Sequence, residues 1–324
     1  FPSRSTCISA TKFQLRWNST GITVAGATTP LGSGSTNLNY PKGIVIDSIK
    51  HLHIADYNNH RIQKWSLNFS SATTIAGISG TTRSNLDGFN NPSDVAIDSV
   101  GNIYVADTLN HRVVLYSVGA TNGTLFAGTG LPGSGIHEFN QPSGLSFDSN
   151  SNALYIADHE NHRIMRYYLN SSNGTVVAGG SGSGRAITQL CLPKGIHFDA
   201  ASSSIFIANY GAHNIVRWPL SATSWILVAG DINGAAGTSA SFLTFPTDVA
   251  LDSLGNVYVA DRDNHRIQFF PQGEINGTTI AGLTSTLGTA ADRFDKPESV
   301  FIDGQFNVFV SDSSNNRVQK FVPL

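Results

Sequence analysis

One unit of about fifty residues is repeated six times along this chain. Each unit opens with a proline, continues with two alternating apolar stretches that end in Asp, and closes with Ala-Gly. The opening prolines are Pro41, Pro92, Pro142, Pro193, Pro246 and Pro297, with spacings of 51, 50, 51, 53 and 51 residues. The closing glycines are Gly26, Gly77, Gly128, Gly179, Gly230 and Gly282. A fixed period of this length is typical of solenoids, propellers and repeat arrays.

Within one unit the hydrophobic pattern has a period of two, which predicts strands rather than helices. In the second unit it predicts four strands, at 94–98, 102–107, 112–116 and 124–128. The segments between them are rich in Gly, Asn and Asp, as tight hairpin turns require. Four antiparallel strands repeated six times predict an all-β fold, a six-bladed β-propeller. The last unit lacks a fourth strand, and we expect residues 22–26 to supply it and close the ring.

A polar turn after the second strand of each unit carries a family resemblance. It reads Asn-His-Arg at 59–61, 110–112, 161–163 and 264–266, Asn-Asn-Arg at 315–317, and Ala-His-Asn at 212–214. Residues 22–322 thereby resemble the NHL-repeat propellers. The resemblance implies one propeller over 22–324, preceded by an N-terminal arm at 1–21. It does not select a function, because this family includes RNA-binding proteins, protein-interaction platforms, lyases and extracellular modules.

The Asp that ends the second strand and the Arg five residues later are expected to pair across this turn. The offset is kept in Asp56–Arg61, Asp107–Arg112, Asp158–Arg163, Asp261–Arg266 and Asp312–Arg317. The fourth unit has Asn209 and Asn214, so both partners have lost their charge together. A buried pair predicts this, because one ion left without its partner costs more than losing both. We therefore interpret the Asp, His and Arg of the motif as structural residues.

The composition argues against several classes of protein. The chain has 20 Lys plus Arg against 22 Asp plus Glu, and only 13% of its residues are charged. It therefore lacks the basic footprint of a nucleic-acid-binding protein. No apolar stretch approaches the ~20 residues of a membrane-spanning helix. Hydrolase, P-loop and His-Glu-x-x-His motifs are missing from the sequence, and we expect neither a cofactor nor nucleic acid as a ligand.

Six N-glycosylation sequons favour a secreted protein. Their asparagines are Asn18, Asn68, Asn122, Asn170, Asn173 and Asn276, all in the turn before the fourth strand of a blade and therefore on one face. The chain begins at Phe1 without an initiator Met, which fits the removal of a signal peptide. Cys7 and Cys191 are expected on the opposite face, where a disulfide would hold the N-terminal arm. Two unrelated thiols are the alternative.

The chain contains one strand too many for six blades. Segment 13–17 resembles a third strand, as 214–218 does, so the last blade has two candidates for one position, 13–17 and 317–321. Either the N-terminal copy lies elsewhere, or the C-terminal copy is displaced and pairs with a neighbouring molecule. The second arrangement would be strand exchange, which builds a homo-oligomer or a filament.

The residue pairs after the blade prolines are expected to surround the mouth of the central channel. They read Lys42-Gly43, Ser93-Asp94, Ser143-Gly144, Lys194-Gly195, Thr247-Asp248 and Glu298-Ser299. The charged residues Lys42, Asp94, Lys194, Asp248 and Glu298 are the candidates for binding a small ion or polar ligand, and a solvated rim of mixed charge is the plainer interpretation. The pairs shared by units one and four, and by two and five, indicate a duplication of three blades.

Two classes of function stay open. We favour a secreted glycoprotein propeller that serves as a structural or interaction module, with a protein or glycan partner on the face of the inter-blade loops and a capacity to self-assemble head to tail. The alternative is a metal-dependent lyase or lactonase with its site at the channel mouth. The resemblance implies zinc-binding histidines directly after the blade prolines for such a lyase, but none of those six positions is His. We expect no metal site and assign no catalytic residue.

Overall fold

The chain folds into six four-stranded antiparallel sheets. The structure, a computed structural model, describes residues 15–27, 32–67, 71–169 and 171–324. Its strands are β1 (Ile22–Gly26), β2 (Pro41–Ile46), β3 (His51–Asp56), β4 (Arg61–Ser66), β5 (Ala72–Gly77), β6 (Pro92–Ile97), β7 (Ile103–Asp107), β8 (Arg112–Tyr116), β9 (Thr124–Gly128), β10 (Pro142–Asp148), β11 (Ala153–Asp158), β12 (Arg163–Tyr168), β13 (Thr175–Gly179), β14 (Pro193–Asp199), β15 (Ser204–Asn209), β16 (Asn214–Pro219), β17 (Ile226–Gly230), β18 (Pro246–Leu251), β19 (Val257–Asp261), β20 (Arg266–Phe270), β21 (Thr278–Gly282), β22 (Pro297–Ile302), β23 (Val308–Asp312) and β24 (Arg317–Phe321). Single 3-10 turns lie at Tyr57–Asn59, Thr108–Asn110, His159–Asn161, Tyr210–Ala212, Arg262–Asn264 and Ser313–Asn315. Within the described segments no helix is long and apolar enough to cross a membrane.

The sheets form a closed ring, which confirms the predicted six-bladed propeller. Blade one is β2 to β5, blade two β6 to β9, and so on; blade six has the order β1-β24-β23-β22. The first strand of each blade contacts the first strands of both neighbours, and β2 packs against β22 to complete the circle. These inner strands line the channel. The N-terminal strand β1 closes the ring, as expected from the sequence, with Ile22 opposite Lys320.

Strand direction gives the disc two distinct faces. Each inner strand begins at the loop face, where the inter-blade segments such as 78–91 start and end and where the 3-10 turns lie. The opposite, turn face carries the two hairpin turns of each blade, such as 98–102 and 117–123. The apolar core lies between neighbouring sheets, as where Tyr104 stacks on Phe147 between blades two and three. Burial of this surface stabilises the ring by roughly 25 cal/mol per Å².

All five predicted Asp–Arg pairs are formed. The Nε–Oδ2 distances are 2.7 to 2.8 Å, and every one of these aspartates is fully buried. Each Arg also donates to three backbone carbonyls of the preceding inter-blade loop, as Arg163 does to Ser134, Gly135 and Glu138. The motif therefore fastens a loop to its blade.

The histidines of the motif join each blade to the next one. Each has a left-handed backbone, with φ between 50 and 56°. Each Nδ1 accepts the backbone N–H of the residue before the following blade's proline. The contacts are Asn91 to His60, Gln141 to His111, Leu192 to His162, Phe245 to His213 and Lys296 to His265, at 3.0 to 3.2 Å. In blade six the side-chain oxygen of Asn316 accepts the Tyr40 N–H at 2.9 Å. These side chains act within the fold, as the sequence predicts.

The C-terminal copy of the surplus strand occupies blade six. There β24 lies between β23 and β1, while Trp17 forms a single antiparallel bridge with Pro323. The Asn18 N–H donates to the Val322 carbonyl at 3.0 Å. Trp17 is 7% exposed, and its Nε1 donates to the Phe306 carbonyl at 2.8 Å. Residues 13 and 14 of the N-terminal copy lie outside the described residues.

Candidate functional site at the channel mouth

The five charged residues predicted at the mouth line one cavity of about 210 Å³ on the loop face. The strand register explains how they reach it. In each inner strand, pairing is interrupted after the proline, for instance between Pro41 and Ile44 and between Pro246 and Asp248. Lys42, Lys194 and Glu298 lie within this interruption, whereas Asp94 and Asp248 are the first residues that pair again after it. All five side chains face the channel mouth.

A second ring of side chains, which the sequence analysis missed, completes the mouth. It is the residue directly after the motif Asp or Asn, namely Tyr57, Thr108, His159, Tyr210, Arg262 and Ser313. Tyr57, Thr108 and His159 line the cavity directly. One histidine therefore does lie at the mouth, although none follows a proline. The available signal was that this position varies from blade to blade while the Asp or Asn before it is kept.

Glu298 is held as a buried anion. It is 7% exposed, its Oε1 accepts a 2.7 Å hydrogen bond from Arg262 Nε, and its Oε2 lies 3.6 Å from Lys194 Nζ. Burial alone would raise the pKa of Glu298, but the charges of Lys194, Lys42 and Arg262 outweigh it and lower that pKa to about 2. The mouth is therefore an organised charge cluster rather than the solvated rim considered from the sequence.

The two lysines each lie over a tyrosine ring. Lys42 Nζ is 3.5 Å from the ring centroid of Tyr57, and Lys194 Nζ is 4.3 Å from that of Tyr210, so both cations gain cation–π stabilisation. Burial lowers the pKa of Lys42 to about 8, reinforced by Lys194 and opposed by Glu298. Lys194 has Glu298 as a partner. No carboxylate in the described part of the chain reaches ion-pair distance of Lys42.

Two aspartates form the waist of the channel. Asp94 and Asp248 line the mouth cavity and also a second cavity of about 210 Å³ below it. Asp94 Oδ2 accepts the Leu145 N–H at 2.7 Å, and Asp248 Oδ2 accepts the Val300 N–H at 3.0 Å. Burial raises the pKa of Asp248 to about 6; burial and the charge of Asp248 raise the pKa of Asp94 well above its usual range. The waist therefore holds a proton more readily than ordinary carboxylates do.

Two glycines make room for the waist. A Cβ on Gly43 would lie 1.9 Å from Asp94 Oδ1, and one on Gly195 would lie 2.2 Å from Asp248 Oδ1. The Gly of each Lys-Gly pair therefore contacts the Asp of the next blade. Blade one contacts blade two in this way, and blade four contacts blade five. This explains physically why the pairs occur twice in the sequence.

Below the waist the channel becomes apolar. The second cavity is lined mainly by aliphatic and aromatic residues, including Ile44, Phe147, Leu251 and Phe301. His197 also faces it, and burial lowers the pKa of this histidine to about 4, so its ring is neutral. Along the axis the lining thus changes from cationic, through the carboxyl pair, to apolar.

The other predicted sites lie apart from the channel. Asn18, Asn122, Asn173 and Asn276 are exposed at the turn face, whereas Asn68 and Asn170 lie outside the described residues. Cys191 is half-buried, with its Sγ 3.5 Å from Ser183 Oγ, and Cys7 is outside the described residues, so the disulfide stays a prediction. Among the residues that the structure describes, no group of three His, Cys, Asp or Glu is arranged to hold a metal ion.

The family assignment follows from the repeats. Four segments, 38–65, 89–116, 139–167 and 243–270, match the NHL repeat. They are parts of blades one, two, three and five; blades four and six are those whose motif reads Ala-His-Asn and Asn-Asn-Arg. The chain is an NHL-repeat β-propeller.

Curated relatives are distant in sequence. The chain is 24% identical over 302 residues to protein SUPPRESSOR OF QUENCHING 1, chloroplastic, of Arabidopsis thaliana, covering 87% of this chain and 25% of that protein. It is 25% identical over 323 residues to human NHL repeat-containing protein 2, with coverage of 84% and 43%. It is 26% identical over 276 residues to peptidyl-glycine alpha-amidating monooxygenase B of Xenopus laevis, with coverage of 82% and 30%. The chain thus spans less than half the length of each.

Solved structures share the fold at low identity. A protein of unknown function from Bacteroides thetaiotaomicron has a TM-score of 0.74 at 14% identity, covering 96% of this chain and 77% of that one. A gluconolactonase of Xanthomonas campestris has a TM-score of 0.65 at 12% identity, with coverage of 89% and 87%. A chain of a nidogen/laminin complex has a TM-score of 0.57 at 19% identity, with coverage of 80% and 92%. These likenesses show a shared propeller fold.

Proposed function

We propose that this protein is a secreted binding propeller that takes a small anionic ligand at its channel mouth. The observation that carries the proposal is the environment of Lys42. Its ammonium lies in the wall of a cavity, over the Tyr57 ring at 3.5 Å, without a carboxylate partner in the described segments. Glu298, by contrast, already has Arg262 and Lys194. A ligand anion would supply the partner that Lys42 lacks.

The rest of the mouth favours an anion too. The raised pKa values of Asp94 and Asp248 reduce the negative charge that such a ligand would meet. Burial, reinforced by the charges of Lys194 and Lys42, lowers the pKa of His159 to about 4 despite its hydrogen bond to the Pro193 carbonyl. Its ring is therefore a neutral hydrogen-bonding group beside two cations. In a partly buried site, charge-assisted hydrogen bonds are about twice as strong as neutral ones.

Thermal shift measurements test the anion site. We would titrate the wild type with acetate, D-gluconate and inorganic phosphate, and compare Lys42→Met with Lys50→Met, a change at an exposed lysine of the turn face. A ligand that binds the native state raises its stability by RT ln(1 + [L]/Kd). We expect at least one anion to raise the Tm of the wild type and of Lys50→Met, but not of Lys42→Met. An equal response of the two variants would count against the site.

We propose N-glycosylation at the turn face together with secretion. The exposure of Asn18, Asn122, Asn173 and Asn276 supports it, because a transferred glycan needs an accessible asparagine. Glycans there would leave the channel mouth on the loop face open. Intact mass of protein expressed through a secretory pathway, before and after glycosidase, provides the test; an unchanged mass would argue against this part of the proposal.

The loop face also supports a protein partner, our second candidate function. Large apolar side chains are exposed on inter-blade loops of two blades, namely Leu131 (70%) and Leu287 (59%). Such a set favours a protein over a glycan, because exposed apolar groups mark protein-interaction surfaces. Head-to-tail self-assembly by strand exchange would have to withdraw β24, whose Phe321 is fully buried in its own blade. Native size measurement tests assembly directly.

A lyase or lactonase is the alternative function, supported by the likeness of fold to the gluconolactonase. It requires ligands that converge on the channel. Metal analysis of the natively purified protein separates the two functions: one tightly bound metal ion per chain, lost when mouth residues are changed, would favour the enzyme.

A further inference from the structure

We infer that the channel takes a small zwitterion, a molecule that carries both a carboxylate and an ammonium group, such as a free α-amino acid with an apolar side chain. This inference rests on the proposed anion site and names the rest of the ligand. It follows from the order of groups along the channel axis: unpaired cation, carboxyl pair, apolar lining. A simple anion would use only the first of these three layers.

The waist carboxyls lack cationic partners within the described residues. All the hydrogen bonds to Asp94 come from backbone, the N–H groups of Val95 and Leu145. Asp248 accepts from the Val249 and Val300 N–H groups and from the hydroxyl of Ser299 at 2.7 Å. No Lys or Arg of the described segments is within ion-pair distance of either one. A carboxylate has about four lone-pair positions, so both can accept from an ammonium group in the channel.

The contrast with Glu298 shows that the waist carboxyls lack cationic partners, whereas a carboxylate elsewhere in the mouth has them. Glu298 is as deeply placed, yet two cations of the chain itself neutralise it. The waist carboxyls have raised pKa values instead, from burial at both and from the added charge of Asp248 at Asp94, and this favours a bound proton. A ligand ammonium would replace that proton. Binding of the amine end would therefore be accompanied by proton release from the waist.

The lower cavity provides the place for an apolar side chain. It begins at Asp94 and Asp248, which line both cavities, and continues between Phe147, Leu251 and Phe301. A molecule bound with its carboxylate at Lys42 and its ammonium at the waist would present its remaining substituent to this lining. Apolar surface removed from water there adds roughly 25 cal/mol per Å² to binding.

Matched ligands test the inference by calorimetry. The probes are L-leucine and L-phenylalanine, the acids that lack the ammonium (4-methylpentanoate and 3-phenylpropanoate), and the amines that lack the carboxylate (3-methylbutylamine and 2-phenylethylamine). We expect at least one amino acid to bind about tenfold or more tightly than both its acid and its amine. Its heat should change with the ionisation enthalpy of the buffer, since a proton is released.

Variants separate the two ends of the ligand. Asp248→Asn should lower the affinity for the amino acid to that of the matched acid, while the acid itself binds as before. Lys42→Met should weaken both, and Lys50→Met neither. Because Asp248 also holds Ser299 and Val300, Asp94→Asn is the second variant, with Tm and circular dichroism of each compared with the wild type.

The outcomes distinguish this inference from the proposed function. Amino acids that bind no better than their acids, or an unchanged preference in both Asp variants, would overturn the zwitterion while leaving a Lys42-dependent anion site. If none of the six probes binds but acetate, gluconate or phosphate does through Lys42, only the inference falls. If no probe of either set responds to Lys42→Met, both are wrong.

Discussion

Blades three and four perform the same structural task with different chemistry. In blade three, Asp158 and Arg163 form a buried ion pair, and the guanidinium donates to the loop carbonyls of Ser134, Gly135 and Glu138. In blade four, Asn209 donates to Asn214 at 3.1 Å. Asn214 has no guanidinium with which to reach the loop.

Trp225 takes over this role in blade four. Its Nε1 donates to the carbonyls of Ala186 at 3.1 Å and Gln189 at 2.9 Å, in the loop that precedes blade four as 129–141 precedes blade three. The Asn209 oxygen still accepts the Cys191 N–H at 2.7 Å, as the Asp158 oxygen accepts that of Asn140. What the blades share is the satisfaction of loop backbone groups, which must be paired when buried, rather than the charge that achieves it.

The largest expected effect is a difference in stability loss between variants of blade three, which has the buried ion pair, and of blade four, which has the neutral pair. Asp158→Ala would leave the Arg163 guanidinium buried without its partner, and we expect a loss of about 3–5 kcal/mol in the free energy of unfolding. Asn209→Ala removes only neutral hydrogen bonds, with an expected loss of about 1–3 kcal/mol. Denaturant unfolding of both variants checks the difference. Equal losses would mean that the two blades do not differ in the way their chemistry suggests.

The same comparison shows what a sequence can reveal. The correlated loss of charge at Asn209 and Asn214 was visible because both residues sit at repeated positions. Trp225 was not, because its partners are backbone carbonyls, which leave no mark in the side-chain pattern. The channel site also has a predictable and an unpredictable part. The residues after the prolines were predicted from their place in the repeat, whereas Tyr57 and Arg262 belong to a position whose identity changes from blade to blade. Nor could the sequence show that Glu298 is buried, since this depends on the packing of three blades.

The role of Trp225 can be tested by removing only its N–H. Trp225→Phe keeps an aromatic ring but leaves two loop carbonyls without this donor, and we expect a loss of about 1–3 kcal/mol in the free energy of unfolding. Trp65→Phe is the matched control, because Trp65 is equally buried at 4% exposure and its Nε1 has no hydrogen-bond partner among the described residues. Denaturant unfolding should show the smaller loss for Trp65→Phe. The loop assignment would be wrong if the control lost as much.

A weaker expected effect is a difference between blades four and six in how their contribution to stability depends on pH. Burial lowers the pKa of His213, whose Nδ1 accepts the Phe245 N–H at 3.0 Å. The unfolded chain therefore binds a proton first as the pH falls below about 6.5, so this contribution to stability is present above that pH and is lost on acidification. In blade six the side-chain oxygen of Asn316 accepts the corresponding N–H, and this side chain does not titrate.

We therefore expect His213→Asn to make the unfolding free energy less dependent on pH in the acid range, by at most about 1.4 kcal/mol per pH unit. Denaturant unfolding at a series of pH values below neutrality measures the slope. His137→Asn, a change at an exposed loop histidine, controls for the loss of a histidine as such. A slope unchanged by His213→Asn would show that Nδ1 stays an acceptor down to the lowest pH examined.

The smallest expected effect concerns the turns that precede the fourth strands of blades three and four. In blade three this turn carries the sequon at Asn173, which is exposed; in blade four the corresponding segment ends in the buried Trp225. Asn173→Gln in protein made without glycosylation should change the free energy of unfolding by less than about 0.5 kcal/mol, because surface substitutions away from packed features have little effect. The same change in secreted protein should remove one glycan from the intact mass. A large loss of stability in the unglycosylated variant would mean that this turn contributes to the stability of the fold as Trp225 does. The turns of blades three and four would then not differ in the way proposed.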